Sequence, residues 1–144
     1  MEHAWETIRS ILAASRTIAV VGLSARPHRP SHEVAAYLQT HGYRIIPVNP
    51  TITEALGEKA SPTLREIREH VDVVQIFRRP EHVPPIVDEA IAIGANAVWM
   101  QSGIVCEEAA ARARAAGLAV VMNACMMTTH RALRAGLDPK WMMP

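Results

Sequence analysis

The chain has little of what marks a secreted or membrane protein. Its 144 residues include two cysteines, Cys106 and Cys125, too few for the disulfide framework of a small extracellular domain. No apolar run reaches the roughly 18 residues that cross a bilayer, because charged residues interrupt the middle of the chain. The N-terminal segment also lacks the basic region and long apolar core of a signal peptide. We therefore expect a soluble, cytoplasmic protein.

An excess of charge of either sign is also missing. The formal net charge is +1, so no overall basic field indicates a nucleic-acid partner. Apolar residues make up 49% of the chain, which is typical of a packed globular protein rather than a disordered one. The length suits one domain. We predict a single domain over residues 1–144, with its core at about 17–133 and a leading helix at about 3–14.

Familiar catalytic signatures are absent. The seven histidines form no HExxH motif, and Cys125 with His130 is too small a set for a metal site. No Ser–His–Asp set or pair of catalytic carboxylates is defined, since Glu107 and Glu108 open a helix, where acidic residues favour the dipole. The sequence therefore assigns no catalytic residue and no metal ligand.

What is present is an alternation of apolar segments and helical patterns. Strands are expected at residues 17–21, 43–48, 71–76, 97–100 and 118–122. Helices are expected to follow them at residues 31–42, 64–70, 79–93, 107–116 and 128–135, with residues 51–63 irregular. Pro47 predicts that the second strand is short or lies at a sheet edge. The alternation predicts an α/β fold with a doubly wound, mainly parallel five-stranded sheet and helices on both faces.

The first strand runs into a basic turn that opens a helix, where doubly wound folds bind ligands. The residues of interest there are Gly22, Ser24, Arg26, Arg29, Pro30 and Ser31. A helix N-terminus attracts anions through its unpaired N–H groups, the two arginines add positive charge, and Ser31 is placed to cap the helix. The turn therefore predicts a phosphate site. In the alternative interpretation, Gly22 only permits the turn and the arginines are solvated.

The second strand ends at Asn49 and Pro50, and the turn before it lacks the GxGxxG dinucleotide fingerprint. NAD sites usually place a carboxylate at this strand end to accept the ribose hydroxyls. A neutral Asn49 favours coenzyme A or NADP over NAD. An equally good interpretation is that Asn49 only caps a turn.

The later strand ends carry further candidates. Phe77 either packs against an adenine or fills the core, and Arg78 is placed to reach a phosphate. Gln101 and Gly103 belong to a small polar turn that allows close approach of a ligand, or they form an ordinary loop. Cys106 and Cys125 are also expected near this edge, as buried thiols or as redox-active groups.

Taken in order, short strings of the sequence resemble the small standalone coenzyme A-binding proteins related to the N-terminal domain of the succinyl-CoA synthetase α subunit. The matching strings are VVGLS at 20–24, RPS at 29–31, VAAYL at 34–38, GY at 42–43, IPVNP at 46–50, LG at 56–57, VD at 71–72, IFR at 76–78, VWMQ at 98–101, GI at 103–104 and AGL at 116–118.

The resemblance implies a Rossmann-like fold that binds coenzyme A in the crevice at the sheet edge. By position, residues 22–31 would hold phosphates, and residues 49–50, 77–78 and 101–103 would line the rest. The standalone members have no established reaction that the matching motifs would imply for this chain. The phosphohistidine of the synthetase lies in a second domain that this chain lacks. Ligase activity is therefore not expected.

This chain departs from its relatives at two places. Cys106 stands where similar proteins often have Asn, and Asn123-Ala124 stands where they often have Asp-Arg before Cys125.

If the pantetheine end of the cofactor approaches Cys125, a mixed disulfide is expected under oxidation. The apolar tail Trp141-Met142-Met143 is a candidate contact with a second subunit or a protein partner.

The functional prediction is a non-catalytic protein that binds coenzyme A or an acyl derivative, as a carrier, sensor or regulatory subunit. The alternatives are an enzyme that uses a coenzyme A thioester or NADP, and an interaction module whose cofactor site has decayed.

Overall fold

The computed structural model describes residues 2–136, so the predicted contact of the Trp141-Met142-Met143 tail lies outside the described residues. The central sheet has five parallel strands: β1 (Thr17–Val21), β2 (Arg44–Val48), β5 (Val73–Ile76), β6 (Ala97–Met100) and β7 (Ala119–Val121). Their order across the sheet is β2-β1-β5-β6-β7. The predicted doubly wound parallel sheet is confirmed, and β2, which contains Pro47, lies at its edge as predicted.

Helices cover both faces of this sheet. They are α1 (Glu2–Ala14), α2 (Pro30–Thr40), α3 (Val83–Ala92), α4 (Glu107–Ala115) and α5 (Met126–Arg134). One core lies beneath α1, α2 and α5, where Ile8, Leu38 and Trp99 are fully buried. The second core lies beneath α3 and α4, with Val87 and Val98 at its centre. Burying each such side chain contributes about 1.5–3 kcal/mol, so both faces hold the sheet in place.

The predicted irregular segment 51–63 contains a small hairpin, β3 (Glu54–Ala55) with β4 (Glu58–Lys59). Beyond the hairpin the chain returns to the sheet edge. The Ser61 N–H donates to the Pro47 carbonyl at 2.9 Å, and the Asn49 N–H donates to the Ser61 carbonyl at 3.0 Å. This pairing covers the end of β2 that carries the proline.

Three helix predictions need correction. The helix predicted at 64–70 is only a 3₁₀ turn, Leu64–Glu66, and another 3₁₀ turn, Pro80–His82, precedes α3. The last helix begins at Met126 rather than at residue 128, because the Gln101 side chain accepts a hydrogen bond from the Met126 N–H at 2.9 Å. A partner distant in sequence therefore decides where α5 starts.

Asp72 aligns the strands at the amino end of the sheet. Its Oδ2 accepts hydrogen bonds from the N–H groups of Arg16 and Thr17, both at 2.9 Å, and its Oδ1 accepts one from Asn96 Nδ2 at 3.3 Å. One carboxylate thus joins the starts of β1, β5 and β6. This alignment also fixes where the opposite ends of the strands lie.

Helices α2 and α5 meet at a pair of rings. Tyr37 Oη and His130 Nδ1 are 2.9 Å apart, and the His41 ring lies 5.1 Å from that of His130. Burial lowers the pKa of His130, and the nearby His41 and Arg134 lower it further. The contact between the two helices therefore favours a neutral imidazole.

Replacing His130 with Gln is expected to flatten the pH dependence of stability. The pKa of His130 is lower in the folded chain than its ordinary value of 6.5, so the unfolded chain binds this proton more tightly. The stability that depends on neutral His130 is present above the unfolded pKa of about 6.5 and is lost as the pH falls below it, so stability is compared at about pH 7.5 and about pH 5.

Thermal unfolding midpoints at the two pH values measure this loss, which should be smaller in His130→Gln than in the wild type. The control is His82→Gln, at an exposed 3₁₀ turn. Equal pH dependence of the wild type and His130→Gln would contradict the assigned role of the pair.

Candidate functional site

Three adjoining cavities lie along the carboxyl edge of the sheet. The α2 cavity, about 400 Å³, is lined by the β1–α2 turn and Phe77. The β2 cavity, about 530 Å³, shares Gly22 with it and reaches Asn49 and Pro50. The α5 cavity, about 500 Å³, shares Pro30 and Phe77 with the α2 cavity and extends to the starts of α2 and α5. Together they form a continuous cleft, called here the carboxyl-edge cleft.

All twelve residues predicted as a binding site line this cleft. They are Gly22, Ser24, Arg26, Arg29, Pro30, Ser31, Asn49, Pro50, Phe77, Arg78, Gln101 and Gly103. They come from four segments that follow different strands, and the parallel sheet brings them to one edge. The structure thus places them together at the carboxyl edge of the sheet.

Ser31 does not cap α2 as predicted. Pro30 occupies the first helical position, with Arg29 at the N-cap, because proline has the required φ and no N–H to leave unpaired. The Ser31 hydroxyl instead accepts a hydrogen bond from the Ser24 N–H at 3.0 Å. Ser31 therefore folds the β1–α2 turn back onto the helix.

This arrangement leaves the start of α2 without a side-chain cap. Within the described residues, the N–H groups of Ser31 and His32 make no hydrogen bond. They lie at the positive end of the helix dipole, next to the exposed side chains of Arg26 and Arg29. The residues that line the α2 cavity include no carboxylate, so the cavity is suited to an anion.

Gly22 allows the β1 and β5 strand ends to approach each other closely. Its φ is +90°, and a Cβ built at this position would lie 2.7 Å from the Phe77 carbonyl oxygen. The Gly22 N–H donates to the Val48 carbonyl, and the Phe77 N–H donates to the Val21 carbonyl, both at 2.9 Å. Only glycine fits this junction of the α2 and β2 cavities without displacing the backbone.

Asn49 braces two loops. Its Nδ2 donates to the Leu23 carbonyl at 3.0 Å, while its Oδ1 accepts from the Thr51 N–H at 2.9 Å and from the Thr51 hydroxyl at 2.7 Å. The turn-capping interpretation of Asn49 is thus the one its contacts support. No carboxylate occupies this strand end, in contrast to the usual NAD site.

Phe77 and Arg78 lie where the cavities meet. Phe77 is partly buried, packs against the α1–α2–α5 core, and lines both the α2 and α5 cavities. Its packing supports the predicted core role, and its place in the cavity walls leaves packing against an adenine as a prediction. Arg78 is exposed and lines the β2 and α5 cavities, as expected for a side chain that reaches toward an anion.

Gln101 joins β5, β6 and α5 within the wall of the α5 cavity. It is 4% exposed, and its Oε1 accepts hydrogen bonds from Gln75 Nε2 at 3.1 Å and from the Met126 N–H at 2.9 Å. Nearby, Asn123 has a positive φ of 57°, and its Oδ1 accepts from the Gly103 N–H at 2.7 Å. The departure at Asn123 is therefore accommodated by a bond between the β6 and β7 loops.

The two cysteines have different surroundings. Cys125 lines the α5 cavity, at the N-cap of α5. Cys106 is the N-cap of α4 and packs against the core beneath α3 and α4, and it lines none of the three cavities of the cleft. Both cysteines follow the carboxyl ends of strands, but only Cys125 lines the cleft, because Cys106 packs toward the face covered by α3 and α4.

Sequence reasoning missed one wall of the cleft. Residues of the β2 cavity come from the 3₁₀ turn after the hairpin and from α3, and they are Pro62, Thr63, Leu64, Ile86 and Glu89. The segment before them has no periodicity that indicates its path. The Leu64 N–H donates to Glu89 Oε1 at 3.3 Å, and this tertiary bond helps to place the wall.

Other kinds of site are not indicated in residues 2–136. No helix there combines the length and apolar character needed to span a bilayer. Across the same residues, no three His, Cys, Asp or Glu side chains are grouped so as to hold a metal ion.

The parallel sheet, its crossovers on both faces and the cleft at its carboxyl edge define a Rossmann-like α/β protein. The chain belongs to the CoA binding domain family, whose sequence model matches residues 16–131. An uncharacterised protein of Bacillus subtilis (strain 168), YneT, is 47% identical over 123 residues, which are 85% of this chain and 91% of that protein.

Two solved structures resemble the chain over nearly its whole length. A hypothetical protein from Pyrococcus horikoshii OT3 is 41% identical, with a TM-score of 0.87, and the match covers 90% of this chain and 92% of that one. A protein from Thermus thermophilus is 37% identical, with a TM-score of 0.85, and the match covers 90% of this chain and 98% of that one.

Gly22→Ala is expected to destabilise the protein more than Gly117→Ala. The two glycines have nearly the same φ, +90° and +92°, but a Cβ at Gly117 meets nothing within 4 Å. A positive φ costs an alanine about 1 kcal/mol, and the clash with Phe77 adds roughly 1–3 kcal/mol at Gly22. Chemical denaturation of both variants measures the difference. Equal losses would show that the close approach at Gly22 carries no energetic weight.

Proposed function

We propose that this protein binds coenzyme A, free or acylated, in the carboxyl-edge cleft and acts without catalysing a reaction. The observation that carries the proposal is the α2 cavity, where two arginines meet the start of α2, whose Ser31 N–H is unpaired among the described residues, and no lining residue is a carboxylate. Membership in the CoA binding domain family supports the choice of ligand.

The phosphates are assigned to the α2 cavity. Arg26 and Arg29 make no salt bridge with another described residue, so their guanidinium groups are available to a ligand. Arginine binds phosphate through two parallel N–H donors, and the first turn of α2 adds backbone donors along its dipole. The Ser31 hydroxyl accepts from the Ser24 N–H and the Ser24 hydroxyl accepts from the Arg26 N–H, so both serines hold the shape of the turn.

The remaining parts of coenzyme A are assigned to the two flanking cavities. The β2 cavity, with Pro50, Leu64 and Ile86, offers apolar walls beside Asn49 and Arg78. The α5 cavity runs from Pro30 past Phe77 to Gln101 and Gly103, which suits an extended pantetheine arm. Arg78 borders both cavities and is assigned a further phosphate contact.

A carrier, sensor or regulatory subunit is the role that fits these contacts. The Cys125 thiol lines the cavity assigned to the pantetheine arm, yet among the described residues it has no hydrogen-bonded base to activate it. An enzyme that uses a coenzyme A thioester or NADP is the alternative, and NADPH oxidation or acyl transfer would reveal it. A cytoplasmic location and a homodimer or protein partner remain predictions from the sequence.

Calorimetric titration with coenzyme A, NADP and NAD tests the proposal. We expect coenzyme A to bind, and Arg29→Ala to weaken its binding about tenfold, ~1.4 kcal/mol, because a charge-assisted contact is lost. Arg114→Ala removes the same charge from the exposed last turn of α4 and should leave the affinity unchanged. Absence of coenzyme A binding would overturn the proposal and favour an interaction module, whereas preferential NADP binding would favour the enzyme.

A further inference from the structure

The α5 cavity carries a hydrogen-bond donor with no partner beside a thiol. Gln101 is 4% exposed and lines the cavity together with Cys125. Its Oε1 accepts two hydrogen bonds. Its Nε2 donates to no group among the described residues. An amide N–H at the wall of a cavity with no protein partner is free to donate to a ligand that brings a carbonyl oxygen.

The position of Cys125 is held from both sides. The carbonyl of Ala124 accepts a hydrogen bond from the buried indole Nε1 of Trp99 at 2.8 Å. On the other side, the Met126 N–H donates to Gln101. The Cys125 carbonyl accepts from the N–H and the hydroxyl of Thr129, both at 3.0 Å. The thiol is therefore presented to the cavity from a fixed backbone.

We infer that Cys125 is a site of reversible modification by oxidised coenzyme A, and this inference rests on the proposed function. The pantetheine arm carries amide carbonyls along its length and a sulfur at its end. An amide carbonyl that meets Gln101 Nε2 brings the terminal sulfur into the cavity that Cys125 lines. The chemistry of the arm thus matches both unpaired groups of the cavity, the amide donor and the thiol.

The reaction is a thiol–disulfide exchange with coenzyme A disulfide, which supplies the oxidised sulfur. The Cys125 thiolate attacks one sulfur of that disulfide, and a new bond forms between Cys125 Sγ and the coenzyme A sulfur. The old sulfur–sulfur bond breaks, and its electron pair leaves with the second coenzyme A, which takes up a proton. One disulfide is consumed and one is formed, so no further oxidant is needed. Excess reduced coenzyme A reverses the exchange, so the fraction of protein modified at Cys125 follows the ratio of coenzyme A disulfide to reduced coenzyme A.

Cys106 provides a matched internal control. It is also partly exposed and also an N-cap, but it packs against the core beneath α3 and α4 and lines none of the three cavities of the cleft. A modification directed by the cleft selects Cys125, whereas indiscriminate oxidation of accessible thiols modifies both cysteines.

The experiment exposes the reduced protein to coenzyme A disulfide and measures intact mass under non-reducing conditions over time. We expect one coenzyme A adduct in the wild type and in Cys106→Ser, and none in Cys125→Ser. Because the cleft positions the reagent, the adduct should form at least about tenfold faster than with oxidised glutathione, and Arg29→Ala should slow only the reaction with coenzyme A disulfide. Peptide mapping of the wild-type adduct locates the modified cysteine even if a variant fails to fold.

Calorimetry with reduced coenzyme A separates failure of this inference from failure of the proposed function. Binding of reduced coenzyme A without an adduct on Cys125, or with equal rates for both disulfides, would overturn the inference alone. No binding of reduced coenzyme A would overturn the proposed function, and the inference with it.

Discussion

The parallel alignment of five strands is the constraint on which the rest of the structure depends. In a parallel sheet every strand ends at the same edge, so each loop that follows a strand reaches one line of the surface. Asp72 joins the starts of β1, β5 and β6, and the register set there carries through to Gly22, Phe77 and Gln101 at the other end. The cleft exists because these ends meet.

The polar side chains of the cleft divide into those that shape it and those that remain available. The Ser31 hydroxyl and the Asn49 amide make hydrogen bonds to backbone groups of the turn after β1, and these bonds hold that turn in place. The donors that remain available include the first N–H groups of α2, the two arginines of the turn, Arg78 and the Gln101 amide. A site whose walls are already ordered loses less entropy when a ligand binds, because the ligand does not have to order them.

Helices α2 and α5 begin at the cleft and meet again at the Tyr37–His130 pair. Through their first turns they supply the phosphate end and the thiol end of the proposed ligand site. The Tyr37–His130 contact joins these helices, and the buried bond from Trp99 to the residue before Cys125 holds the start of α5 against the sheet. The chemistry at each end of the cleft therefore rests on packing within the α1–α2–α5 core.

The sequence by itself determined the α/β class, the approximate strand segments, the edge position of the Pro47 strand and the placement of the twelve predicted residues at the carboxyl edge, since local periodicity and turn chemistry are encoded within short segments. Tertiary structure decided the rest. Ser31 does not cap α2 because Pro30 occupies the first helical position, and the Ser31 hydroxyl accepts a hydrogen bond from the Ser24 N–H instead. Cys106 packs against the core beneath α3 and α4 instead of lining the cleft. Helix α5 begins at Met126, whose N–H donates to Gln101, and the 3₁₀ turn of Leu64 forms part of a cavity wall. The partners of Ser31 are near in sequence, whereas the other outcomes depend on contacts distant along the chain, such as Met126 with Gln101 and Leu64 with Glu89, which no local pattern specifies.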